Sequence, residues 1–533
     1  MPNSFSQKKD ITALTVGASI LPDTFDPDNF SQVNPWKNPM NWDMQVQLFD
    51  TLFEYDTKIM NNSKVQDTTK LLPVLAESIT SSNDGYTHTI KLKENIISEY
   101  GNELTADDIF WSWQATKATL NMPHPPSTHW LDTKDPGEVG RWIALTGSAP
   151  VDTNPVSVLE KYVFEFKLRE PSFAFPHILT MVLPPVYDAT EAKKHSSKND
   201  PFARKWLQRH SCGFSPYSIL DISNEQIILQ SRDNYSRINP QIKKIIYKLI
   251  NHTERITQLQ NNQIDILTGL SPLENESFKK NAEVEVFEAF GNQQLSLQMD
   301  MKKYPFDDLS FRKALMYLMP YDEIINNEFI GHARAWNGVV SSINPAYEEL
   351  FTGKTDMKLA KQSLSQSTYD GRKIELAYIE QSLIHKNIVT AISNQAKDIN
   401  IQIVPQAISS QKMSDLQKKF QVPFAIAGGG HRCAEMSYAM PHDFGDKIYG
   451  ITNWVDYNNN ELNQLIEEIK FCRDNEERVN LIKKSHKIVA QDLPWIFIAQ
   501  PNYSIAYRSG LKNISWRSRA SGPQSYASLF WEN

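Results

Sequence analysis

The sequence predicts an α/β chain with mixed sheets, built in more than one domain. Its length is the first reason: 533 residues, 40% of them hydrophobic, exceed what one core usually serves. The second is the recurrence of short runs that alternate apolar and polar residues, such as Tyr162–Leu168 (YVFEFKL). The third is that these runs interleave with segments of helical spacing along the whole chain. No internal repeat or low-complexity tract interrupts the pattern.

Thr12–Val16 (TALTV) reads as a first strand, and the prolines and Asp/Asn cluster of GASILPDTFDPDNF as an irregular loop after it. The loop Asn34–Trp42 (NPWKNPMNW) precedes the first helix, placed at Val46–Tyr55 by the spacing of Val46, Leu48, Phe49, Leu52 and Phe53. His88–Leu92 alternates as a strand behind an Asp84-Gly85 turn. Thr105 caps a helix whose apolar face is Ile109, Phe110 and Trp113, with Asp108 where a capping box prefers Glu or Gln. Further strands fall at Tyr162–Leu168, Ile227–Arg237 and Lys243–Ile250, and a helix-to-strand step at Leu259–Leu267. Tyr304–Tyr317 is a turn running into a helix, and Pro320–Glu323 starts another. Lys373–Tyr378 and Ile401–Val404 are strands, Glu461–Gln491 is helical, and Trp495–Ala499 (WIFIA) is a buried strand after Leu493-Pro494.

Composition narrows the function by exclusion. A net charge of −7 without a concentrated basic stripe speaks against nucleic acid. No run of about 18 apolar residues marks a membrane-spanning helix. The cysteines, Cys212, Cys433 and Cys472, form neither a disulfide framework nor a CxxC metal site. GxSxG and HExxH are absent, and SxxK recurs without its SDN and KTG partners. Gly428-Gly429-Gly430 lacks the GxGxxG spacing of a phosphate loop. The chain is therefore expected to be neither an enzyme nor a cofactor protein. His124, His129 and His431 have no metal-ligand spacing.

A series of landmarks points further. FDTLFEYD (Phe49–Asp56), LLPVLAESI (Leu71–Ile79), NDGYTHTIKLKENI (Asn83–Ile96) and GNELTADDIFWSW (Gly101–Trp113) are followed by GFSPY (Gly213–Tyr217), RDNY (Arg232–Tyr235) and NQIDI (Asn262–Ile266). PFDD (Pro305–Asp308) with Arg312 and Ala314 comes next, then Glu477-Arg478 with Ile488, Asp492 and Pro494. In order and spacing they resemble the family 5 extracytoplasmic solute-binding proteins, the receptors of peptide and nickel ABC importers. Departures are the shorter Asn-to-Tyr spacing in RDNY and the missing glycine before Gln263. The landmarks have structural jobs. Gly213 and Pro216 set a tight reversal. Phe306 anchors a loop, Asp307 or Asp308 caps the next helix, and Arg312 pairs with a carboxylate or caps carbonyls. Glu477 and Arg478 read as a solvated face or an internal ion pair.

The resemblance implies a bilobed periplasmic-binding-protein fold, a Venus flytrap with an extra N-terminal subdomain. The expected parts are 1–44, 175–265 and 491–533 for the first lobe, 45–174 for the extra subdomain and 266–490 for the second lobe. The chain would cross near Leu267–Pro272 and Leu493–Gln500. It also implies a monomeric receptor that hands a peptide, or alternatively a nickel chelate, an opine-like compound or an oligosaccharide, to ABC permease subunits. A non-transport sensor is the remaining alternative. The start MPNSFSQKKDITALTVGAS lacks an apolar signal region. A periplasmic or extracellular site therefore implies a leader absent from this chain.

Ligand residues are expected in Ala425–Phe444. Where peptide-binding relatives carry a "CADY"-like segment whose carboxylate holds the ligand ammonium, this chain has Cys433-Ala434-Glu435-Met436. Glu435 is thus implied as the ammonium ligand, with an internal cation as its competing partner. Arg432 and His431 are candidates for a ligand carboxylate. Trp36, Asn41, Trp42, Trp336 and Trp454 are candidates on loops, where they either contact ligand or seal the domain interface.

Overall fold

The computed structural model describes residues 10–28, 38–120, 156–168, 171–182, 184–417, 419–430, 435–445, 453–517 and 524–532. One continuous mixed sheet runs through it. Its order is Ile403–Ile408, Ile374–Ile379, Phe424–Gly430, Gln293–Met299, Trp495–Arg508, Ile266–Thr268, Ala13–Ala18, Lys244–Leu249, Gln226–Ser231 and Tyr217–Ile222, with Val284–Phe290 and Ala333–Ala335 also paired to the central strand.

That central strand, Trp495–Arg508, is shared between two bodies. Its first part pairs with Gln293–Met299 and Ala333–Ala335, and its second, Asn502–Arg508, with Val284–Phe290 and Ile266–Thr268. Separate cores lie on either side. One centres on Leu14, Phe49, Tyr217, Tyr247 and Trp516, and others on Leu297, Phe311, Ile392 and Phe424 and on Trp454, Ile466 and Trp495. Ile266–Thr268 and Val284–Phe290, on either side of the expected crossing Leu267–Pro272, both pair with the second part of the central strand, whereas Gln293–Met299 pairs with its first part. The central strand runs on past Ala499, where the sequence reading ended it too early. The apolar run WIFIA gave no sign that the polar stretch Gln500–Ser504 continues the strand, because there the pairing is set by partners distant in sequence.

A four-stranded antiparallel sheet of Ala76–Ser81, Thr87–Leu92, Val163–Lys167 and Val156–Glu160 packs on the first body. The helix Ala106–Leu120 covers it. Its core also takes Trp42, Phe175, Val186 and Phe214, so its packing reaches beyond the span 45–174. Asp108 accepts from the Thr105 backbone at 2.7 Å and so makes the return bond of a capping box with a shorter side chain than the motif prefers.

The first helix is Pro39–Leu48, earlier than its apolar spacing predicted. Asn38 caps it, accepting from the Met40 backbone at 3.0 Å, and proline stands in the first turn. Met40 through Leu48 are all buried, so the helix has no polar face to produce a period. The apolar residues after Phe49 belong to the turn and to the strand Phe53–Met60.

Other landmarks do what their chemistry suggested. Arg312 donates to the Asp492 carbonyl at 2.7 Å and to the Phe306 carbonyl at 2.6 Å. Asp308 caps Leu309–Leu318. A Cβ on Gly213 would stand 2.4 Å from the Leu48 carbonyl oxygen, which is why this turn takes glycine.

Candidate functional site

Glu435 is positioned by the helix it begins. It is the N-cap of Met436–Phe444, with Oε1 accepting from the Ser437 backbone at 3.3 Å and its hydroxyl at 2.6 Å. The same oxygen lies 3.6 Å from Nε of Arg478, near the start of Asn475–Asp492. Arg478 is 3% exposed and also donates to the Cys472 carbonyl and to Asn475 Oδ1. It is therefore an internal partner rather than a solvated face. Oε2 points the other way, 3.8 Å from Nε2 of His177.

His177 comes from the first body, on the short helix Phe175–Ile178 beside the extra sheet. Its Nδ1 is 2.7 Å from the Tyr55 hydroxyl. Burial pushes the imidazole down, and Arg478 adds to this against the attraction of Glu435. Its Nε2 faces the carboxylate and its Nδ1 the Tyr55 hydroxyl. For Glu435 burial acts upward, but His177, Arg478 and the Ser437 bonds outweigh it, and its carboxyl lies below the usual range. The site thus offers one oxygen engaged within its own body, one oxygen facing His177 and an imidazole ring at the seam between the bodies. Nearby, Arg473 donates to Asn83 Oδ1 at 3.1 Å, with its guanidinium 6.0 Å from the Phe173 ring.

The strand Phe424–Gly430 precedes Glu435 in the chain. Its glycines pair with Gln293–Leu295. Among the described residues its other edge is paired with a strand only at Ala425, opposite Ala377. Gly428 and Gly429 are exposed, and a Cβ on Gly429 would meet nothing within 4 Å. Among the described residues no side chain stands over Gly429, where a second extended backbone could approach, whereas Leu295 and His385 lie 3.6 and 3.8 Å from a Cβ on Gly428.

Four of the other candidates are taken up by the fold. Asn41 is fully buried and closes the first loop, accepting from the Asp23 backbone at 2.9 Å and donating to its carboxylate at 2.7 Å. Trp42 packs in the core of the extra sheet. Trp336 and Trp454 pack in the second body, Trp336 lying flat against Phe497 with centroids 6.1 Å apart. In each case tryptophan's large apolar area is buried by neighbours from its own body. Trp36, His431 and Arg432, with Cys433, His124 and His129, lie outside the described residues. Sequence reasoning missed His177 and Tyr55, since a lone histidine after Pro176 has no motif to mark it.

These features define a class: a bilobed periplasmic binding protein whose lobes meet across a cleft. The chain belongs to the bacterial extracellular solute-binding proteins, family 5, whose middle-region description matches residues 70–450. It is 20% identical over 509 residues, 94% of this chain and 91% of the relative, to the probable D,D-dipeptide-binding periplasmic protein DdpA of Escherichia coli. Its fold is similar to that of HbpA2 from Haemophilus parasuis, with a TM-score of 0.83 at 15% identity over 98% of this chain and 100% of that one. It is likewise similar to DppA from Helicobacter pylori in complex with the peptide STSA, with a TM-score of 0.74 at 18% identity over 98% of both chains. Among the described residues no helix is long and apolar enough to cross a membrane.

Proposed function

We propose that this chain captures a peptide-like solute between its lobes, outside the cytoplasmic membrane, and presents it to the permease as a single chain. No bond is made or broken. The observation that carries the reading is the strand edge at Gly428–Gly429, unpaired with a further strand among the described residues, together with the Glu435 carboxylate that faces the opposite lobe. The edge suits a peptide backbone, and Glu435 Oε2 suits its α-ammonium, with His177 closing from the other side. The names of relatives agree in kind, since DdpA and DppA are peptide-associated. We place the division between lobes at 291–292 and 500–501, where strand pairing changes sides. Closure follows if the solute contacts both lobes, because a ligand shifts an equilibrium only by its differential affinity. Native mass spectrometry of freshly purified protein tests this. A ladder of masses spaced by amino-acid residues supports it. A single non-peptide mass, or no calorimetric response to any member of a di- to pentapeptide library, contradicts it.

A further inference from the structure

The three-residue strand Ala333–Ala335 has two unlike faces. Ala333 and Ala335 pack toward the second lobe's core, while His332 and Arg334 reach the first lobe and the crossings. His332 is 6% exposed. Its Nδ1 lies 2.6 Å from Glu288 Oε1 on the strand Val284–Phe290, and its Nε2 lies 2.8 Å from Glu276 Oε1 on the helix Pro272–Phe278. Each ring nitrogen therefore has a carboxylate oxygen within hydrogen-bond distance. Both carboxylates have further partners. Lys279 also pairs with Glu276, and Asn502 and Asn275 amides approach Glu288 Oε1 at 3.3 and 3.4 Å. The His332 carbonyl accepts from the Asn502 backbone at 2.9 Å, on the return crossing.

Arg334 completes the arrangement. Its guanidinium lies 4.4 Å over the ring of Phe290, the last residue before the outward crossing, and its Nε donates to Gln500 Oε1 at 2.9 Å. Gln500 Nε2 in turn donates to the Gly291 carbonyl at 2.6 Å, which also accepts from the Ser341 hydroxyl at 2.7 Å. Both crossings therefore terminate on one short segment of the second lobe. Contacts this close to the bending axis have a short lever, so shifts of an ångström there correspond to large displacements at the cleft.

We propose that His332 and Arg334 form a brace across the hinge that sets the balance between joined and separated lobes without touching the solute. The lobes are joined in this structure through His177–Glu435 and Asn83–Arg473, and the brace coexists with those contacts. Removing it favours separation.

The test is single-molecule energy transfer in the full chain, without added peptide, between dyes placed at the exposed positions Lys205 and Lys361, one in each lobe. His332→Ala and Arg334→Ala are each expected to raise the separated-to-joined ratio about tenfold, the effect of losing one charge-assisted hydrogen bond. Unchanged distance distributions in folded variants overturn the brace. Should His332→Ala not fold, Glu276→Gln decides, since that carboxylate is partly exposed at the surface. A shift toward separation sustains the proposal, and an unaltered distribution overturns it. Because no solute is added, the result stands apart from the identity of the ligand.

Discussion

Glu435 and His177 face each other across the seam between lobes at 3.8 Å, the carboxylate from a helix cap of the second lobe and the imidazole from beside the extra sheet of the first. Only one carboxylate oxygen is engaged with Ser437 and Arg478, and the other is left toward the seam. Glu435→Gln keeps a cap acceptor and removes the charge. It is expected to weaken a peptide with a free amino terminus by about 1.5–3 kcal/mol and to leave its N-acetylated counterpart nearly unaffected. Calorimetric titration with both peptides measures this, and equal losses for the two would remove Glu435 from ammonium recognition.

His177→Ala bears on the same contact from the opposite lobe. The variant keeps the strand edge and Glu435 but loses the imidazole ring and the Tyr55 link. Peptide dissociation is expected to accelerate about tenfold with little change in association, since the contact forms only when the lobes meet. Stopped-flow measurement separates the two rates. An effect on association alone would mean that His177 acts before closure.

Two glycines distinguish fold from function. Gly213→Ala drives a Cβ to within 2.4 Å of the Leu48 backbone oxygen, and a loss of about 1–3 kcal/mol in urea unfolding is expected. Gly429→Ala meets nothing within 4 Å, so its unfolding curve should overlay the parent's. Larger side chains at Gly429 should lower peptide affinity progressively while leaving stability unchanged. A peptide that binds Gly429→Val as tightly as the parent does not use this edge.

Much of the fold was readable because its landmarks are local. Caps at Asp308, the Arg312 carbonyl clamp and the alternating strands each follow from side-chain chemistry within a few residues or from one helix end. Long-range pairing was not readable. The strand Trp495–Arg508 continues through Gln500, Pro501 and Asn502 because partners on both sides hold it there. The buried helix Pro39–Leu48 has no polar face, so its period was assigned about two turns too late, and Asn41 and Trp42 were taken for loop residues. Glu435 was legible through its segment, whereas His177 is brought to it by tertiary packing alone.

The first loop hides a second example. Its Asp/Asn cluster read only as an irregular loop, and in the structure Asp26 and Asp28 are buried around Arg204, at 2.9 and 3.2 Å. The Tyr187 hydroxyl donates to Asp26, and the Thr116 hydroxyl to Asp28. Arg204→Met leaves carboxylates buried without their cation, and a loss of about 3–5 kcal/mol is expected. Chemical denaturation measures it. A loss below about 1 kcal/mol would mean that the loop opens and lets water replace the guanidinium.

Two buried groups should give the fold opposite responses to acid. Asp43 sits between the Tyr247 and Tyr526 hydroxyls at 2.6 and 2.8 Å, and burial pushes its carboxyl up to about 6 despite both bonds. The folded chain then holds this proton more tightly than the unfolded chain does. That contribution is full below about pH 4 and is lost as pH rises through 6. Asp43→Asn removes the titration, so its stability relative to the parent should rise by about 3 kcal/mol between pH 4 and 7. His486 is the reverse case. It is 1% exposed, with Nδ1 near the Ala346 carbonyl at 3.3 Å, and burial pulls it down to about 4. Its contribution is present above about pH 6.5 and is lost as pH falls toward 4. Relative to His486→Gln, the parent should therefore lose about 3 kcal/mol on acidification over the same range. Urea unfolding of the parent and both variants at pH 4, 5, 6 and 7 measures the slopes. Equal slopes in all three proteins would show that neither group keeps its buried environment in solution, whereas slopes of opposite sign require that both do.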